Sequence, residues 1–254
     1  MVLKMFTASM IDGKVLRDCI DTISAIIDEG TLRLRKDGIE VIAADRAMVA
    51  VVDFKIGSGA FENYLCDADK DISLNMESLL NVLKRAGPLD KINLKLNETE
   101  NRLEVTLAGE SIRNFALPLL ELGKEEVPNV TQFQFNASAE VNSDVMCDGI
   151  DDATVISDSV MVELSQNQMR MLAEGDSSKV ELKVSGGTKS LQNVVTEQTV
   201  KSRYPLDYLK KFMKAAKIAD KFGLKMGNDY PLRLDFVGNN VRMGFVLAPR
   251  VSEE

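Results

Sequence analysis

An internal repeat with a shift of 130 positions, about half of the 254-residue chain, constrains the fold most strongly. Apolar residues recur at helical spacing with that shift: Met76, Leu79, Leu83 and Ala86 correspond to Leu206, Leu209, Met213 and Ala216. Residues 92–96 and 115–118 recur in the same way as 222–226 and 245–249. Repetition at a fixed period indicates repeated structural units. The sequence therefore predicts two copies of one domain, a quasi-symmetric arrangement of the kind that acts through its shape rather than through one catalytic pocket.

The length and composition allow two domains of ordinary size, each with its own core. The hydrophobic content of 45% and the charged content of 28% are typical of a soluble globular protein. No apolar run approaches the roughly 18 residues of a membrane span, and residues 1–14 lack the apolar region of a secretory signal. We therefore expect no membrane contact and a cytoplasmic location, or a nuclear one if the cell has a nucleus.

The residue types needed for common catalytic and metal sites are scarce. The chain contains no histidine, which removes the commonest general base and metal ligand. Its cysteines, Cys19, Cys66 and Cys147, lack metal-binding spacing, and Cys19 and Cys147 are predicted to be small core residues. Phosphate-binding glycine motifs are also missing. We expect no enzymatic activity, no catalytic residue, no metal and no cofactor; a carboxylate- or lysine-based enzyme is the alternative from another functional class.

Hydrophobic periodicity predicts the α+β class, with antiparallel sheet in each half. Helices are predicted at residues 13–28, 76–86, 138–153 and 206–216. Short alternating strands fill most of the rest, including a hairpin at Asp37-Gly38 and strands at 48–55 and 194–201. The predicted divisions are an N-terminal domain at 1–117, a connector at 118–132 and a C-terminal domain at 133–254.

The net charge of −8 repels nucleic acid, so contact with DNA would need a local cluster of cations. Lys84 and Lys214 occupy the same position of the repeat, and cations at equivalent places could follow a phosphate backbone without reading its sequence. The alternative to a DNA contact is that these lysines belong to an ordinary helix face that is exposed to solvent. The acidic residues of the predicted 138–153 helix spread along one side and do not converge as metal ligands would: Asp144, Asp148, Asp151 and Asp152.

Two potential sheet edges lie at residues 111–117 and 179–184. Contact between two different edges of one chain is head to tail, and it closes into a ring if the rotation allows. The alternative to a contact between chains is that other parts of the same monomer cover both edges. Near the C terminus, the spacing of residues 245–251 favours a place in the core over a place in a groove with the leucines of the connector.

Several segments, in matching order, resemble the sliding clamps of the proliferating-cell-nuclear-antigen family. They are residues 43–52 (Ala-Ala-Asp-Arg-Ala-Met-Val-Ala-Val-Val), 206–209 (Leu-Asp-Tyr-Leu), 230–232 (Tyr-Pro-Leu) and 247–251 (Leu-Ala-Pro-Arg-Val). The similarity covers essentially the whole length. The closing segment, together with Val-Ile-Ser-Asp at 155–158, is most like archaeal members.

The resemblance implies the DNA clamp fold, with two similar domains per subunit, helices lining the inside of a ring and antiparallel sheets on its outside. It implies a homotrimeric processivity factor that encircles duplex DNA without sequence specificity and has no catalytic activity. The implied partners are DNA polymerase, a clamp loader, a flap nuclease and a ligase, which bind through short peptide motifs. One subunit of a heterotrimeric clamp, including the checkpoint type, is the alternative.

The resemblance also assigns residues to three surfaces. The DNA-facing residues are Lys14, Arg17, Lys84, Arg85, Lys210, Lys211, Lys214 and Lys217. The partner-peptide groove is formed by Met48, Val49, Leu119, Leu120, Leu122, Val127, Pro231, Val246, Ala248 and Pro249. The subunit interface is formed by Ser111, Ile112, Arg113, Asn114, Phe115, Lys179, Val180, Glu181, Leu182 and Lys183. The sequence departs from the family pattern at Asp18 and Ser24, where many relatives have lysine, and at residues 142–152, which contain no Lys or Arg.

Overall fold

The structure is a computed structural model that describes residues 5–123, 128 and 130–250. The first half contains helices α1 (Lys14–Ser24) and α2 (Met76–Leu83) and strands β1 (Phe6–Ile11), β2 (Glu29–Arg35), β3 (Gly38–Ala44), β4 (Ala50–Gly57), β5 (Asn63–Cys66), β6 (Lys70–Asn75), β7 (Lys91–Asn97), β8 (Arg102–Ala108) and β9 (Ile112–Pro118). The second half contains helices α3 (Ser143–Ile156) and α4 (Leu206–Phe212) and strands β10 (Ala137–Asn142), β11 (Ser159–Ser165), β12 (Gln168–Glu174), β13 (Lys179–Ser185), β14 (Leu191–Thr196), β15 (Val200–Pro205), β16 (Lys221–Met226), β17 (Leu232–Gly238) and β18 (Val241–Leu247). Short 3₁₀ helices lie at Ser58–Ala60, Val130–Gln132 and Met213–Lys217.

The chain forms two compact units, and each takes in a segment from the other half of the sequence. Unit 1 consists of Met1–Ala44, Val52–Val127 and Gly238–Met243, and unit 2 consists of Asp45–Val51, Pro128–Val237 and Gly244–Glu254. Each α-helix and β-strand of the first half has a counterpart at the same place in the order of the second.

The strand order is also the same in both units. It is β5-β1-β7-β8-β9 and β6-β2-β3-β4 in unit 1, and β14-β10-β16-β17-β18 and β15-β11-β12-β13 in unit 2. Paired strands such as β7 and β8 run antiparallel. In each unit the two helices pack against each other. Three of the four repeated apolar positions are buried in both copies, and the fourth, Ala86 and Ala216, is half-buried; the buried residues are Met76, Leu79, Leu83, Leu206, Leu209 and Met213. The predictions of the α+β class and of two similar domains are therefore confirmed.

Side chains and turns fix the ends of several elements. Asn75 caps α2 by accepting a hydrogen bond from the amide of Ser78 at 2.8 Å, and Asn142 caps α3 in the same way. The predicted Asp37-Gly38 hairpin joins β2 and β3. Gly38 has a φ of 148°, and a Cβ at this position would lie 2.1 Å from the carbonyl oxygen of Ile56. Only glycine fits this turn.

Some sequence predictions of secondary structure are wrong. The predicted 138–153 helix begins at Ser143, because Ala137–Asn142 buries alternate residues as strand β10. The predicted 194–201 strand is the end of β14 and the start of β15, separated by residues 197–199. The strand predicted from Met48 begins at Ala50, since Met48 has a φ of 56°, outside the β region. Helices α1, α2 and α4 are shorter than predicted, and β1 and β5 have no counterpart among the predicted elements.

Candidate functional site

Four of the predicted DNA-facing residues lie on the helix pair of unit 1. Lys14 is exposed at the start of α1, and the half-buried Arg17 lies one turn later, with its Nε 3.7 Å from Asp18. Lys84 and Arg85 are exposed directly after α2. Because α1 packs against α2, these cations belong to one pair of neighbouring helices.

The other four cations lie on α4 of unit 2 and on the 3₁₀ helix that follows it. Lys210 is exposed, with its Nζ 3.3 Å from a carboxylate oxygen of Asp151 on α3. Lys211 places its Nζ 5.0 Å from the centre of the Tyr208 ring, a cation–π contact. Lys214 and Lys217 follow on the 3₁₀ helix and are half-buried and exposed, respectively.

Helix α3 differs in charge from α1, its counterpart in the repeat. Asp144, Asp148, Asp151 and Asp152 are all exposed. Among residues 5–123, 128 and 130–250, no three Cys, Asp or Glu side chains are grouped as ligands for a metal ion. Cys19 and Cys66 are buried and Cys147 is half-buried; burial raises the pKa of the Cys19 thiol to about 12, which disfavours a reactive thiolate.

The predicted subunit-interface residues lie on or beside β9 and β13, each at the end of its strand order. Both strands show the same pattern of exposure, in which exposed and half-buried residues alternate up to one buried residue near the end. Phe115, Val180 and Leu182 are half-buried and Ile112 is 72% exposed. Ser111, Asn114, Lys179, Glu181 and Lys183 are exposed, and Arg113 forms an ion pair with Asp90.

Strand β4 is the counterpart of β13 in the repeat, and another segment of the same chain covers its edge. In unit 1 the amide of Gly57, at the end of β4, donates to the carbonyl oxygen of Asn240 at 2.8 Å. Arg242 lies beside the same strand, with its Nη2 3.0 Å from the Asp53 carboxylate. Segment 238–243, which includes the start of β18, thus lies along β4. Strand β18 is the counterpart of β9.

In unit 2, part of the predicted partner groove is assembled from distant segments. Met48 is 55% exposed, and the carbonyl oxygen of Val49 accepts a hydrogen bond from the amide of Ala248 at 2.8 Å. Ala248, Pro249 and Pro231 are half-buried. Val246, which the family resemblance assigns to the groove, is only 6% exposed and lies between the buried residues Phe245 and Leu247, so it offers little surface to a partner.

Arg250 holds the segment after β18 in place. Its amide donates to the carbonyl oxygen of Arg203 at 2.7 Å, and its guanidinium lies 2.6 Å from the Asp158 carboxylate. Together with the bond between Ala248 and Val49, these contacts fix the chain on either side of Pro249. The Ala248-Pro249 segment is therefore presented in a defined conformation.

The connector leucines pack on unit 1. The amide of Leu119 donates to Asn101 at 3.0 Å, and that of Leu120 donates to Ser73 on β6 at 2.9 Å. Leu119, Leu120 and Leu122 are half-buried and line a cavity of about 540 Å³ with residues of β2, β3 and β6. The remaining predicted groove residue, Val127, lies outside the described residues.

Sequence reasoning assigned no role to two residues that shape this site, Asp45 and Tyr208. The hydroxyl of Tyr208 donates to the Asp45 carboxylate at 2.6 Å. Both residues lie in segments that carry the family resemblance, 43–52 and 206–209. This resemblance was the feature of the sequence that could have indicated a role for them. Nothing in their spacing, 163 positions apart, indicated a contact.

Comparisons with known proteins agree with this architecture. The family model described as "Proliferating cell nuclear antigen, N-terminal domain" matches residues 5–126, and that of the C-terminal domain matches residues 129–251. A DNA polymerase sliding clamp of Pyrococcus furiosus is 33% identical over 242 residues, which cover 95% of this chain and 96% of that protein. A DNA polymerase sliding clamp of Thermococcus sibiricus is 34% identical over 244 residues, which cover 95% of this chain and 97% of that protein.

Solved structures show the same fold. A crystal structure of PCNA from Thermococcus kodakaraensis has a TM-score of 0.89 at 25% identity and covers 96% of this chain and 100% of its own. Proliferating cellular nuclear antigen from Entamoeba histolytica has a TM-score of 0.89 at 20% identity, covering 98% and 100%, and supports the fold alone.

The duplicated α+β units, with their shared strand order, define a protein of the DNA clamp class. The chain belongs to the proliferating cell nuclear antigen family. Its function is that of a sliding clamp, a processivity factor. Among the described helices, none combines the length and the apolar character needed to cross a membrane.

Proposed function

We propose that three copies of the chain close head to tail into a ring around duplex DNA and tether DNA polymerase to it. The observation that carries the proposal is the pair of exposed edge strands, β9 and β13. An unpaired strand edge offers backbone donors and acceptors to a partner strand. Because the two edges are different surfaces of one chain, they favour a head-to-tail contact over a two-fold dimer.

The repeat supplies a second argument for this contact. In unit 1, segment 238–243 of the β17–β18 region lies along β4. Strand β9 is the counterpart of β18, and β13 is the counterpart of β4. A β9 strand from one copy can therefore cover β13 of the next by repeating a geometry that the chain already contains.

The mass of the purified chain tests this assembly. Each chain has a mass of 28.0 kDa, so a ring of three has three times that mass, 84 kDa. Light scattering of the chain expressed alone is expected to give the larger value. A mass of 28.0 kDa, with a larger species only after a second clamp subunit is added, would support the heterotrimeric alternative.

The DNA-facing surface is proposed to be formed by the basic residues of α1, α2 and α4, with the adjoining turns. Contacts from Lys and Arg to phosphates bind DNA without reading its sequence, which suits a clamp that moves along the duplex. The aspartates of α3 repel phosphate, and Asp151 lies 3.3 Å from Lys210. We therefore expect the helix pair of unit 1 to attract DNA more strongly than that of unit 2.

Partners are proposed to dock on an apolar surface of unit 2 formed by the exposed Met48 and the half-buried Val49, Pro231, Ala248 and Pro249. A tethered enzyme is held near its substrate at a high effective concentration, which is how a clamp without catalytic groups raises processivity. The same surface would serve the clamp loader, flap nuclease and ligase. Assignment of the connector leucines and Val127 to the groove stays a prediction from the family resemblance.

Replacing Ala248 by glutamate is expected to weaken polymerase binding by at least about tenfold without changing the mass of the assembly. The substitution places a charge on the apolar docking surface, and burial of an unpaired charge is strongly unfavourable. Surface plasmon resonance with the DNA polymerase of Pyrococcus furiosus measures the effect. Ala68→Glu, at another half-buried alanine, is the matched control. Equal affinity of both variants would show that docking occurs elsewhere.

A further inference from the structure

A buried carboxylate organises the loop between β3 and β4. Asp45 is 7% exposed, and its side-chain oxygens accept hydrogen bonds from the amides of Ala47 at 3.2 Å, Val49 at 2.8 Å and Ala50 at 2.7 Å. Within the loop, Met48 has a φ of 56°, a left-handed conformation that is uncommon for residues other than glycine. The loop therefore depends on these bonds to keep a conformation that exposes Met48.

The fourth hydrogen bond to Asp45 comes from helix α4, far away in the sequence. The Tyr208 hydroxyl donates to the carboxylate at 2.6 Å. The Tyr208 ring lies beneath Lys211, and its centroid is 6.4 Å from that of Phe212. Tyr208 thus contacts the loop of Met48 and Val49 with its hydroxyl and a predicted DNA-facing cation with its ring.

The protonation states suit this bond. Burial opposes the charge on Asp45, but hydrogen bonds from Tyr208 and the three amides outweigh it and lower the pKa of the carboxyl. Burial and the bond to Asp45 raise the pKa of Tyr208 to about 12. At neutral pH a neutral phenol therefore donates to an ionised carboxylate, and such charge-assisted bonds are stronger than those between neutral groups.

We propose that Tyr208 is a positioning residue for partner docking, which holds residues 45–50 in the conformation that presents Met48 and Val49 beside Ala248. This inference rests on the docking surface proposed above. Neither Asp45 nor Tyr208 has to contact the partner. Without the hydroxyl, the Asp45 carboxylate loses one donor and the loop loosens, so a partner would have to order the loop as it binds.

Tyr208→Phe tests the inference, because it removes the hydroxyl and keeps the ring beside Lys211 and Phe212. We expect amide hydrogen exchange at Val49 and Ala50 to become about tenfold faster, while the amides of α4 exchange as in the wild type. The dissociation constant for the DNA polymerase of Pyrococcus furiosus should rise by about the same factor. Asp45→Asn, which removes the charge but keeps the shape, should accelerate exchange at the same two amides.

Tyr64→Phe is the matched control. It removes a phenol hydroxyl that lies 2.7 Å from the carbonyl oxygens of both Arg35 and Gly38 in unit 1, which share its one donor hydrogen. The effect of Tyr64→Phe on stability should therefore be comparable to that of Tyr208→Phe. Amide hydrogen exchange at Val49 and Ala50 should stay at the wild-type rate.

Unchanged exchange at Val49 and Ala50 in Tyr208→Phe would overturn the inference, whatever the polymerase does. A uniform increase throughout unit 2 would overturn it too, because Tyr208 would then stabilise the unit as a whole. Faster loop exchange with unchanged polymerase affinity would show that loop order is irrelevant to docking. Failure of the wild-type chain to bind the polymerase would instead count against the proposed docking surface, and exchange would still decide whether Tyr208 positions the loop.

Discussion

Replacing Phe115 by aspartate is expected to convert an assembly of 84 kDa, three times the chain mass, into single chains of 28.0 kDa. Phe115 is half-buried on β9, whereas its repeat counterpart, Phe245 on β18, is only 1% exposed. In the proposed ring the neighbouring subunit covers Phe115. Burial of such a side chain contributes about 1.5–3 kcal/mol, and the loss recurs at all three interfaces. Light scattering at micromolar concentration measures the mass.

Val237→Asp is the control for this experiment. Val237 is 65% exposed on β17, so the same change of an apolar residue to a charge is made on a strand outside the proposed interface. The control should keep the mass of the wild type. Circular dichroism and thermal unfolding establish whether each variant is folded. A folded Phe115→Asp variant that stays at 84 kDa, three chains, would place the subunit contact elsewhere.

Replacing Lys84, Lys210 and Lys214 together by alanine is expected to weaken DNA binding and flatten its dependence on salt. Each phosphate contact contributes about 0.9 to the slope of log K against log salt concentration, so three lost contacts lower the slope by up to about 2.7 per subunit. Fluorescence anisotropy with a linear duplex, over about 50 to 200 mM salt, gives the slope. The length of primer-extension products should fall in parallel.

Lys36→Ala, Lys189→Ala and Lys201→Ala together form the matched control. All three lysines are exposed and lie outside the helices, two in turns and one on β15. This variant loses the same formal charge, so a general electrostatic effect should appear equally in both. If the two salt slopes are equal, α2 and α4 do not form the DNA-facing surface. Both variants should retain the mass of the wild type.

The sequence predicted the helices and their apolar faces well because helical periodicity is local. The repeat added independent support, since Leu79 and Leu209 are buried at equivalent positions. The predictions of secondary structure were wrong where a strand pattern runs directly into a helix pattern and where two strands follow each other without a turn signal. Ala137–Asn142 runs directly into α3, and its alternation of buried and half-buried residues is too short to stand out beside a helix. The bend at residues 197–199 lacks glycine and proline, so nothing marked the end of β14.

For the candidate site, sequence reasoning identified residues but not their contacts. Residues 43–52 and 206–209 both carry the family resemblance, yet the bond between Asp45 and Tyr208 joins positions 163 apart and has no periodic signature. The conformation of Met48 is another such case. Its positive φ depends on the hydrogen bonds that the buried Asp45 carboxylate accepts, and no turn motif indicates it.

The exchange of segments between the units has a consequence for work with fragments. A fragment that ends at the connector would lack Gly238–Met243, so Gly57 would lose its bond to Asn240 and Asp53 its ion pair with Arg242. The second fragment would lack Asp45–Val51 and with it the acceptor for Tyr208. The repeat suggests two modules that could be expressed separately. However, the N-terminal fragment would expose an open strand edge at β4, and such edges promote aggregation. The C-terminal fragment would lose part of its docking surface.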